Sequence, residues 1–427
     1  MELFTIRGGK PLSGIIPISG SKNAALPIIA ATVLNSGITR LYNVPMIQDV
    51  LNLCEILRLW GSRITVDQSA HAVTIDNSKL VIQINETIFG LVRKLRGSIL
   101  LVGSILAKFG SLTIPLPGGD IIGARPLDVH FDGFQSLGAE INQTGETVTL
   151  SVPKGLTGSS MVLKEPSVTA TENLIMAAAG AKGETTIKLA AIEPHVQDLC
   201  HFLEKFGVGF DGIGTHWITI LGKDFSSWSQ DIEYTIIPDS DEAMNLSALV
   251  AATRSEVDLR GIRPEYCEAG INKLQEIGVN VSLVETSMIF RKPTSGYRAA
   301  KYQCGLYPKL MSDQIPPFAV LATQANGVSM IQEWMYEGRL GYVTELSKMG
   351  ANAMILDPHR AIIVGPTSLR GAELKSLDIR AGMTMIVAGL VAEGETTILD
   401  AQIIDRGFEA IDNRLRAIGA DIIRSSK

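Results

Sequence analysis

Apolar and polar positions along the chain repeat at intervals of about seventy residues. In each repeat, an amphipathic helical pattern ends on an apolar residue that is followed directly by glycine, and a short strand pattern comes next. Successive glycines of this kind are 77, 69, 71, 72 and 69 positions apart; they are Gly61, Gly138, Gly207, Gly278, Gly350 and Gly419. Such regular spacing indicates six copies of one structural unit.

Each unit also contains a helical segment that is apolar on nearly all sides. These inner segments span residues 24–34, 97–107, 172–181, 243–253, 314–324 and 381–392. A helix of this kind is buried, whereas an amphipathic helix covers a surface. Most of the inner segments end near a glycine typical of a helix C-terminus, namely Gly37, Gly110, Gly183, Gly327 and Gly394. The pattern predicts an α/β fold with apolar helices inside and strands around them, rather than a sheet between two layers of helices.

The starts of the units predict two domains of three units each. Similar Leu-x-Gly marks precede a strand and then an inner helix at residues 12–14, 156–158 and 369–371. The first twenty residues read as a pair of strands without a unit of their own, and the last unit ends at the C-terminus. We therefore expect residues 1–21 to pair with the last units. This gives one domain from 22 to 237, and a second, discontinuous domain from 1–21 and 238–427.

Composition and charge narrow the class of protein. Hydrophobic residues make up 46% of the 427 positions, enough for a large core, and the net charge of -6 disfavours a general nucleic-acid binder. The N-terminus lacks the pattern of a signal peptide, and apolar runs such as 99–107 are too short to cross a membrane. The four cysteines and six histidines are scattered. We expect no metal site, and buried thiols in a reducing cytoplasm.

Charged residues stand at the starts of several inner helices. Lys22, Arg96 and Arg380 occupy equivalent positions in three units, and Asp313 and Asp378 lie at comparable starts. A helix N-terminus has free N–H groups and a positive dipole end, so cations there indicate a site for an anion. One such cation alone would be read as a solvated charge, but three equivalent ones favour a function. We expect two facing domains to aim these helix ends at a shared cleft.

The segment 115–126 is rich in glycine and proline and is long for a connection in this repeat. As a structural loop it needs no function, whereas as a lid it would bring Asp120 and Arg125 onto a bound ligand. Two further arginines, Arg339 and Arg406, follow late strands, and each alone reads as a surface ion-pair partner.

Several of these segments together resemble the enolpyruvyl transferases over essentially the whole chain. The most specific segments are 19–27 (SGSKNAALP), 117–128 (PGGDIIGARPLD) and 170–173 (ATEN), with support from 193–199 and 405–409. The resemblance implies two inside-out α/β barrels of three units each, which close on their substrates. It implies transfer of the enolpyruvyl group of phosphoenolpyruvate to the 3'-hydroxyl of UDP-N-acetylglucosamine, with release of phosphate and without a cofactor. This reaction would be the first committed step of peptidoglycan precursor synthesis in a bacterial cytoplasm.

The resemblance also assigns roles to residues of the predicted cleft. It implies that the phosphoenolpyruvate anion is held by Lys22, Arg125 and Arg406, and that Arg96, Arg339 and Arg380 are further basic residues there. Asn23 and Asp313 would touch the sugar, with Asp313 beside the attacking hydroxyl as candidate base, and Asp378 would be an acid near the arginines. The uridine side would be formed by Arg125, Pro126, Leu127, Asp128, His130, Ser167 and Val168.

The chemistry implied by the resemblance suits these residue types. Protonation of the enol carbon requires an acid, the attacking hydroxyl requires a base or a positioning carboxylate, and the departing phosphate requires fixed cations. The predicted catalytic residues are therefore Asp120, Asp313, Lys22 and Arg406.

Two departures from the family pattern stand out. The lid position usually occupied by Cys is Asp120 here. A carboxyl group with a raised pKa can donate a proton but is a poor nucleophile toward an epoxide, so we expect resistance to fosfomycin, which alkylates the Cys. The second departure is the interdomain stretch 238–244 (PDSDEAM), which lacks an Arg common in the family. This departure alters either the contacts with the substrate or only the hinge between the two domains.

Two alternative functions stay open at this point. One is enolpyruvyl transfer to another acceptor, such as shikimate 3-phosphate or a different nucleotide; the match at residues 125–130 argues against it. The other is a non-catalytic paralogue that binds a UDP-sugar or serves as a scaffold. Lys22, Asp313 and Arg406 argue against this alternative, because a pure binder would not need all three.

Overall fold

A computed structural model describes residues 2–118 and 122–426. Its α-helices in this part of the chain are α1 Lys22–Ala31, α2 Gln48–Leu59, α3 Glu86–Lys94, α4 Leu101–Phe109, α5 Asp128–Ser136, α6 Val168–Ala179, α7 Pro194–Glu204, α8 Ser240–Ala252, α9 Glu268–Glu276, α10 Ile315–Thr323, α11 Gly341–Lys348, α12 Ile379–Val391 and α13 Ile411–Ala417. Short 3-10 helices cover Thr32–Leu34, Arg96–Leu100, Pro264–Tyr266, Ser312–Gln314 and Ala401–Arg406.

The strands alternate with these helices along the whole chain. They are β1 Glu2–Arg7, β2 Ser13–Pro17, β3 Ile38–Tyr42, β4 Arg63–Asp67, β5 Ala72–Asp76, β6 Ser111–Pro115, β7 Glu140–Thr144, β8 Thr147–Ser151, β9 Ser160–Val162, β10 Glu184–Lys188, β11 Gly209–Asp211, β12 Trp217–Leu221, β13 Ile232–Thr235, β14 Glu256–Arg260, β15 Val281–Val284, β16 Ser287–Phe290, β17 Tyr297–Arg298, β18 Lys301–Gln303, β19 Ala325–Gln332, β20 Asn352–Asp357, β21 Arg360–Gly365, β22 Glu373–Lys375, β23 Glu395–Leu399 and β24 Asp421–Ser426.

The chain divides into two compact units. We call Gly20–Gly119 with Arg125–Ile237 the N-terminal unit, and Met1–Ser19, Asp120–Ala124 and Pro238–Lys427 the C-terminal unit. Each unit contains three sheets, as expected for three repeats. The sheets of the N-terminal unit have the orders β13-β3-β5-β4, β6-β8-β7 and β11-β12-β10-β9. Those of the C-terminal unit have the orders β15-β16-β14-β2, β17-β19-β21-β20 and β22-β23-β1-β24.

The inner helices are buried almost completely, as their all-round apolar pattern predicts. In the N-terminal unit α1, α4 and α6 pack on one another, and in the C-terminal unit α8, α10 and α12 do the same. Every residue of α8 from Asp241 to Ala252 is buried, and so is all of α10. The backbones of α4 and α6 approach closely at Gly103, where a Cβ atom would collide with the carbonyl oxygen of Asn173. The prediction of an α/β fold with apolar helices inside is therefore confirmed.

The six glycines that mark the repeats have a common backbone role. Each follows the end of an outer helix (α2, α5, α7, α9, α11 or α13), and all six have positive φ values between 80° and 99°. A residue with a Cβ is strained in this conformation, which explains why glycine stands at the same point of each repeat. The chain then turns into a strand (β4, β7, β11, β15, β20 or β24).

Three findings bear on the class of protein. The first strand, β1, lies between β23 and β24, and β2 pairs with β14. In the described part of the chain, no helix is both long and apolar enough to span a membrane. The four cysteines are buried free thiols, as expected.

Candidate active site

Asp313 lies between two buried arginines of the C-terminal unit. It belongs to the 3-10 helix Ser312–Gln314, directly before α10. Arg339 Nη2 donates to Asp313 Oδ1 over 2.6 Å, and Arg380 Nε donates to Asp313 Oδ2 over 3.0 Å. Because each carboxylate oxygen has its own guanidinium partner, the position of the carboxylate is well defined.

The two arginines control the ionisation of Asp313. Burial alone would raise its pKa, but the charges of Arg339 and Arg380 outweigh burial and hold the pKa far below the usual range. The Asp313 side chain is still 32% exposed, whereas each arginine side chain is 4% exposed. The carboxylate is therefore ionised and accessible, and it is weakly basic as long as both arginines remain on it.

Both arginines are fixed by further contacts. Arg339 Nη1 donates to Ser312 Oγ over 2.7 Å, and Ser312 Oγ donates to Glu333 Oε2 over 2.7 Å. The Arg380 guanidinium lies 5.1 Å from the centre of the Phe408 ring. Asp378 caps α12 by accepting from the backbone N–H of Arg380 over 2.8 Å, so it contributes to the start of the helix that carries Arg380.

The same network contains polar residues that the sequence prediction did not include. Asp241, near the start of α8, lies with its Oδ2 3.7 Å from Arg380 Nη2. Gln314 donates to Asp241 Oδ1 over 3.1 Å. The signal is present in the sequence, because residues near the starts of α8 and α12 hold equivalent positions in the repeat, and Arg380 stands at one of them.

Lys22 is the first residue of α1 in the N-terminal unit. Its Nζ lies 2.8 Å from Asp49 Oδ2 of α2, and the Lys22 side chain is 13% exposed. Ser21 caps α1 by accepting from the backbone N–H of Ala24. Asn23 follows Lys22 in the first turn and is partly buried. An outer-helix carboxylate thus holds a cation at the start of an inner helix, where the helix dipole alone would disfavour it.

Arg96 and His130 lie in a second part of the N-terminal unit. Arg96 opens the 3-10 helix before α4 and donates to the backbone carbonyl of Arg125. His130 on α5 lies with its Nδ1 3.1 Å from Asn173 Nδ2 and its Nε2 3.2 Å from Thr169 Oγ1. Burial, together with the charge of Arg96, lowers the pKa of His130 to about 3. His130 is therefore a neutral imidazole at physiological pH.

The other residues predicted on the uridine side lie at helix starts or just before them. Ser167 caps α6 by accepting from the backbone N–H of Ala170, and Val168 is the first residue of α6. Leu127 and Asp128 form the start of α5, and Pro126 before them is exposed.

Two predicted catalytic residues remain. Arg406 is partly buried and ends the 3-10 helix Ala401–Arg406 of the C-terminal unit. Asp120 lies outside the described residues. The residues that follow Asp120 along the chain contact a distant segment. The backbone N–H of Ala124 donates to Glu337 over 2.6 Å, and the backbone N–H of Gly338 donates to the carbonyl of Ile122 over 3.0 Å.

Arg339 and Arg380 can each donate a further hydrogen bond to a ligand. Arg339 Nε and Arg380 Nη1 are buried and have no hydrogen-bond partner among the described residues. Buried donors without partners are uncommon and indicate a place for an acceptor. Two guanidinium groups beside an ionised carboxylate suit an anionic substrate with a phosphate and a hydroxyl. The guanidinium groups can bind the phosphate, and the carboxylate can accept a proton from the hydroxyl. Among the described residues, no group of three His, Cys, Asp or Glu side chains is arranged to hold a metal ion.

Six repeats, three buried helices per unit and charged residues at the helix starts define an α/β protein of the enolpyruvyl transferase fold. The solved structure of the enolpyruvyl transferase NikO from Streptomyces tendae superimposes with a TM-score of 0.89. The superposition covers 100% of this chain and 99% of that one, at 23% identity. At this identity the likeness shows the fold.

Sequence comparison identifies the family. Residues 6–415 match EPSP synthase (3-phosphoshikimate 1-carboxyvinyltransferase). A UDP-N-acetylglucosamine 1-carboxyvinyltransferase from Nitratiruptor sp. is 37% identical over the whole of both chains. UDP-N-acetylglucosamine 1-carboxyvinyltransferase 2 from Mesorhizobium japonicum is 40% identical, again over the whole of both chains. The chain belongs to the EPSP synthase family of enolpyruvyl transferases.

Proposed function

We propose that this protein transfers the enolpyruvyl group of phosphoenolpyruvate to the 3'-hydroxyl of UDP-N-acetylglucosamine and releases phosphate. The observation that carries the proposal is the full-length likeness, at 37% and 40% identity, to relatives named for this activity. The fixed carboxylate of Asp313 between Arg339 and Arg380 supports it, because this reaction needs a carboxylate at the hydroxyl and cations for the phosphate. The step would open peptidoglycan precursor synthesis in a bacterial cytoplasm.

The proposed reaction has two steps, addition and elimination. In the addition, the 3'-oxygen forms a bond to C2 of phosphoenolpyruvate, its proton passes to Asp313, and C3 takes up a proton from an acid. In the elimination, C3 loses a proton and the bond between C2 and the phosphate oxygen breaks, which restores the double bond and frees phosphate. We assign the acid at C3 to Asp120, and the cations that hold the phosphate and carboxylate to Lys22, Arg125 and Arg406.

Because of the two arginines, the basicity of Asp313 depends on whether substrates are bound. In the structure they hold its pKa far below the usual range, which makes it a poor base. Substrate anions that attract Arg339 and Arg380 weaken this hold and make Asp313 more basic. The carboxylate then becomes an effective proton acceptor only when the substrates are present. The two buried donors without partners, Arg339 Nε and Arg380 Nη1, are the contacts open to such an anion.

The remaining assignments concern orientation of the acceptor. We assign Asn23 to the sugar, Arg96 and Asp378 to the support of the site, and Arg125, Pro126, Leu127, Asp128, His130, Ser167 and Val168 to the uridine. A neutral His130, with a pKa lowered to about 3, suits contact with an uncharged base better than contact with a phosphate.

The acceptor is tested by phosphate release from phosphoenolpyruvate. Purified protein is supplied with UDP-N-acetylglucosamine, with shikimate 3-phosphate, or with no acceptor. We expect release with the first acceptor only. Release with shikimate 3-phosphate alone would replace the proposed acceptor, and no release with either would favour a UDP-sugar-binding protein without catalysis.

The resistance expected from Asp120 is tested with fosfomycin. A carboxylate does not form the covalent adduct that a thiolate forms with the epoxide, so the natural enzyme should keep its activity after incubation with the drug. The Asp120→Cys variant should lose activity with time. Time-dependent inactivation of the natural enzyme at the same rate as the Cys variant would contradict the expected resistance.

A further inference from the structure

Asp241 shares a guanidinium with Asp313. Arg380 Nη2 lies 2.9 Å from Asp313 Oδ2 and 3.7 Å from Asp241 Oδ2. The side chains of Asp241 and Arg380 are each only 4% exposed, so little water screens the interaction among the three groups. Whatever charge Asp241 carries therefore acts directly on Arg380, and through it on Asp313.

Hydrogen bonds fix Asp241 to the segment that carries Asp313. Gln314, the residue after Asp313, donates its Nε2–H to Asp241 Oδ1 over 3.1 Å. Asn245, one turn further along α8, donates to the backbone carbonyls of Asp241 and, over 3.2 Å, of Asp313. The start of α8 and the turn before α10 are thus held together around the carboxylate pair.

Charged and titratable groups face Asp241 from every side. They are Asp239 at the N-cap of α8, Glu242 next to Asp241 in α8, Arg380 at the start of α12, Asp313 before α10, Arg339 before α11, and Cys267 before α9. Glu242 is largely occupied by Arg414, whose Nη1 lies 2.5 Å from it. Asp239, Asp241 and Asp313 all lie close enough to Arg380 for its charge to lower their pKa values.

We propose that Asp241 is a positioning residue of the reaction, which holds Arg380 jointly with Asp313 and whose negative charge keeps Asp313 basic enough to accept the hydroxyl proton. This inference rests on the proposed function. The coupling follows from electrostatics: a negative charge near Arg380 offsets part of its pull on Asp313, and two carboxylates that repel each other raise each other's pKa. Loss of the charge on Asp241 leaves Asp313 to the arginines and weakens it as a base.

The proposal predicts a specific pH dependence. The carboxyls of Asp239 and Asp241 titrate together, and burial raises the pKa of Asp241 to about 6 against the opposing charge of Arg380. As pH falls through this value, Asp241 takes up a proton and Asp313 becomes less basic. Without substrates, the pKa of Asp313 lies far below this range. The kcat of the natural enzyme should therefore fall between pH 7 and pH 5 while KM for phosphoenolpyruvate does not rise.

The test compares kcat and KM from pH 5 to pH 8 for the natural enzyme, Asp241→Asn and Asp412→Asn. Asp412 is a matched control, because its side chain is 6% exposed and pairs with Arg416 and Arg424 of the same unit, outside this network. Asp241→Asn should have kcat about tenfold lower at pH 8, without an inflection near pH 6. At pH 5 it should equal the natural enzyme. Asp412→Asn should keep the natural pH profile.

A second variant covers the case in which Asp241→Asn does not fold. Gln314→Met removes the hydrogen bond that favours ionised Asp241, so the inflection in kcat should move to higher pH by about half a unit. An unchanged inflection in Gln314→Met, or a natural pH profile in Asp241→Asn even at a lower kcat, would overturn the proposal. These outcomes require an active natural enzyme, so they are distinct from failure of the proposed function, in which the natural enzyme releases no phosphate.

Discussion

The two units use the same repeat but different partners at their inner helix starts. In the C-terminal unit the starts of α8, α10 and α12 contribute Asp241, Asp313 and Arg380 to one buried network. In the N-terminal unit, Lys22 at the start of α1 pairs with Asp49 of an outer helix, and Arg96 before α4 donates to a loop carbonyl. The repeat determines where the inner helices begin. The side chains at these positions determine whether neighbouring helix starts form one network of charged groups.

This difference has an electrostatic consequence. A shared network lets one carboxylate change the pKa of another, because buried charges interact strongly. The Lys22–Asp49 pair instead joins an inner helix to an outer one and places one cation at a helix start. We therefore expect substitutions in the C-terminal unit to change proton transfer, and substitutions in the N-terminal unit to change anion binding.

The largest effect is expected for Asp313→Asn. Loss of the proton acceptor should lower kcat by about a thousandfold, within the range typical of general-base catalysis. Asp357→Asn is a matched control, since Asp357 is 31% exposed against 32% for Asp313 and also pairs with an arginine, Arg360. Steady-state kinetics measure kcat for both variants, and circular dichroism checks that both are folded. A loss of kcat smaller than tenfold would show that Asp313 is not the base.

A second prediction concerns the stability of the network. Because burial raises the pKa of Asp241, its ionised form destabilises the fold. Asp241→Asn should remove this cost, so native-state hydrogen exchange in α8 should be slower at pH 8. The gain is complete above about pH 6 and is lost below pH 3.8, where the natural side chain becomes protonated in both the folded and the unfolded state.

The control variant for this prediction should change the stability of the fold in the opposite direction. Asp412→Asn takes a carboxylate from Arg416 and Arg424, so it should destabilise the C-terminal unit. Faster exchange in α8 of Asp241→Asn at pH 8 would contradict the idea that the network costs stability there.

In the N-terminal unit, Asp49→Asn should weaken the binding of phosphoenolpyruvate. The substitution removes a charged partner that positions the ammonium of Lys22 at the start of α1, so KM should rise about tenfold while kcat changes less. Glu55→Gln is the control, because Glu55 lies on the same helix but forms an exposed pair with Arg58. If kcat fell and KM stayed constant, the assumed difference between the units would be wrong.

The smallest effect is expected at His130, which should not titrate between pH 8 and pH 5. Burial and Arg96 lower its pKa to about 3, so the imidazole stays neutral as the pH falls through the usual value of 6.5. The ring nitrogen shifts in NMR spectra should be constant over this range. A shift with a midpoint near 6.5 would mean that this part of the N-terminal unit is open to water.

The repeat, the helix types and the buried character of the inner helices could all be predicted from the sequence. They depend on periodicity and on glycine at positive φ, which are local properties, as at Gly61 and Gly419. The pairing of Asp313 with two arginines could not be predicted, because it depends on which helix starts meet in space. Asp49 illustrates this limit, since as a polar residue in an amphipathic helix it gives no local sign of its contact with Lys22.

The position of β1 affects how the protein is made. Its partners in the sheet are β23 and β24, so Phe4 stands between Ile398 and Arg424. A ribosome releases Phe4 long before it has synthesised either partner. The N-terminal unit, whose strands all lie between residues 38 and 235, can fold during synthesis, while β1 must wait for residues 395–426. Until then β1 has free backbone edges on both sides, and that interval is when the nascent chain is most exposed to mispairing with another chain.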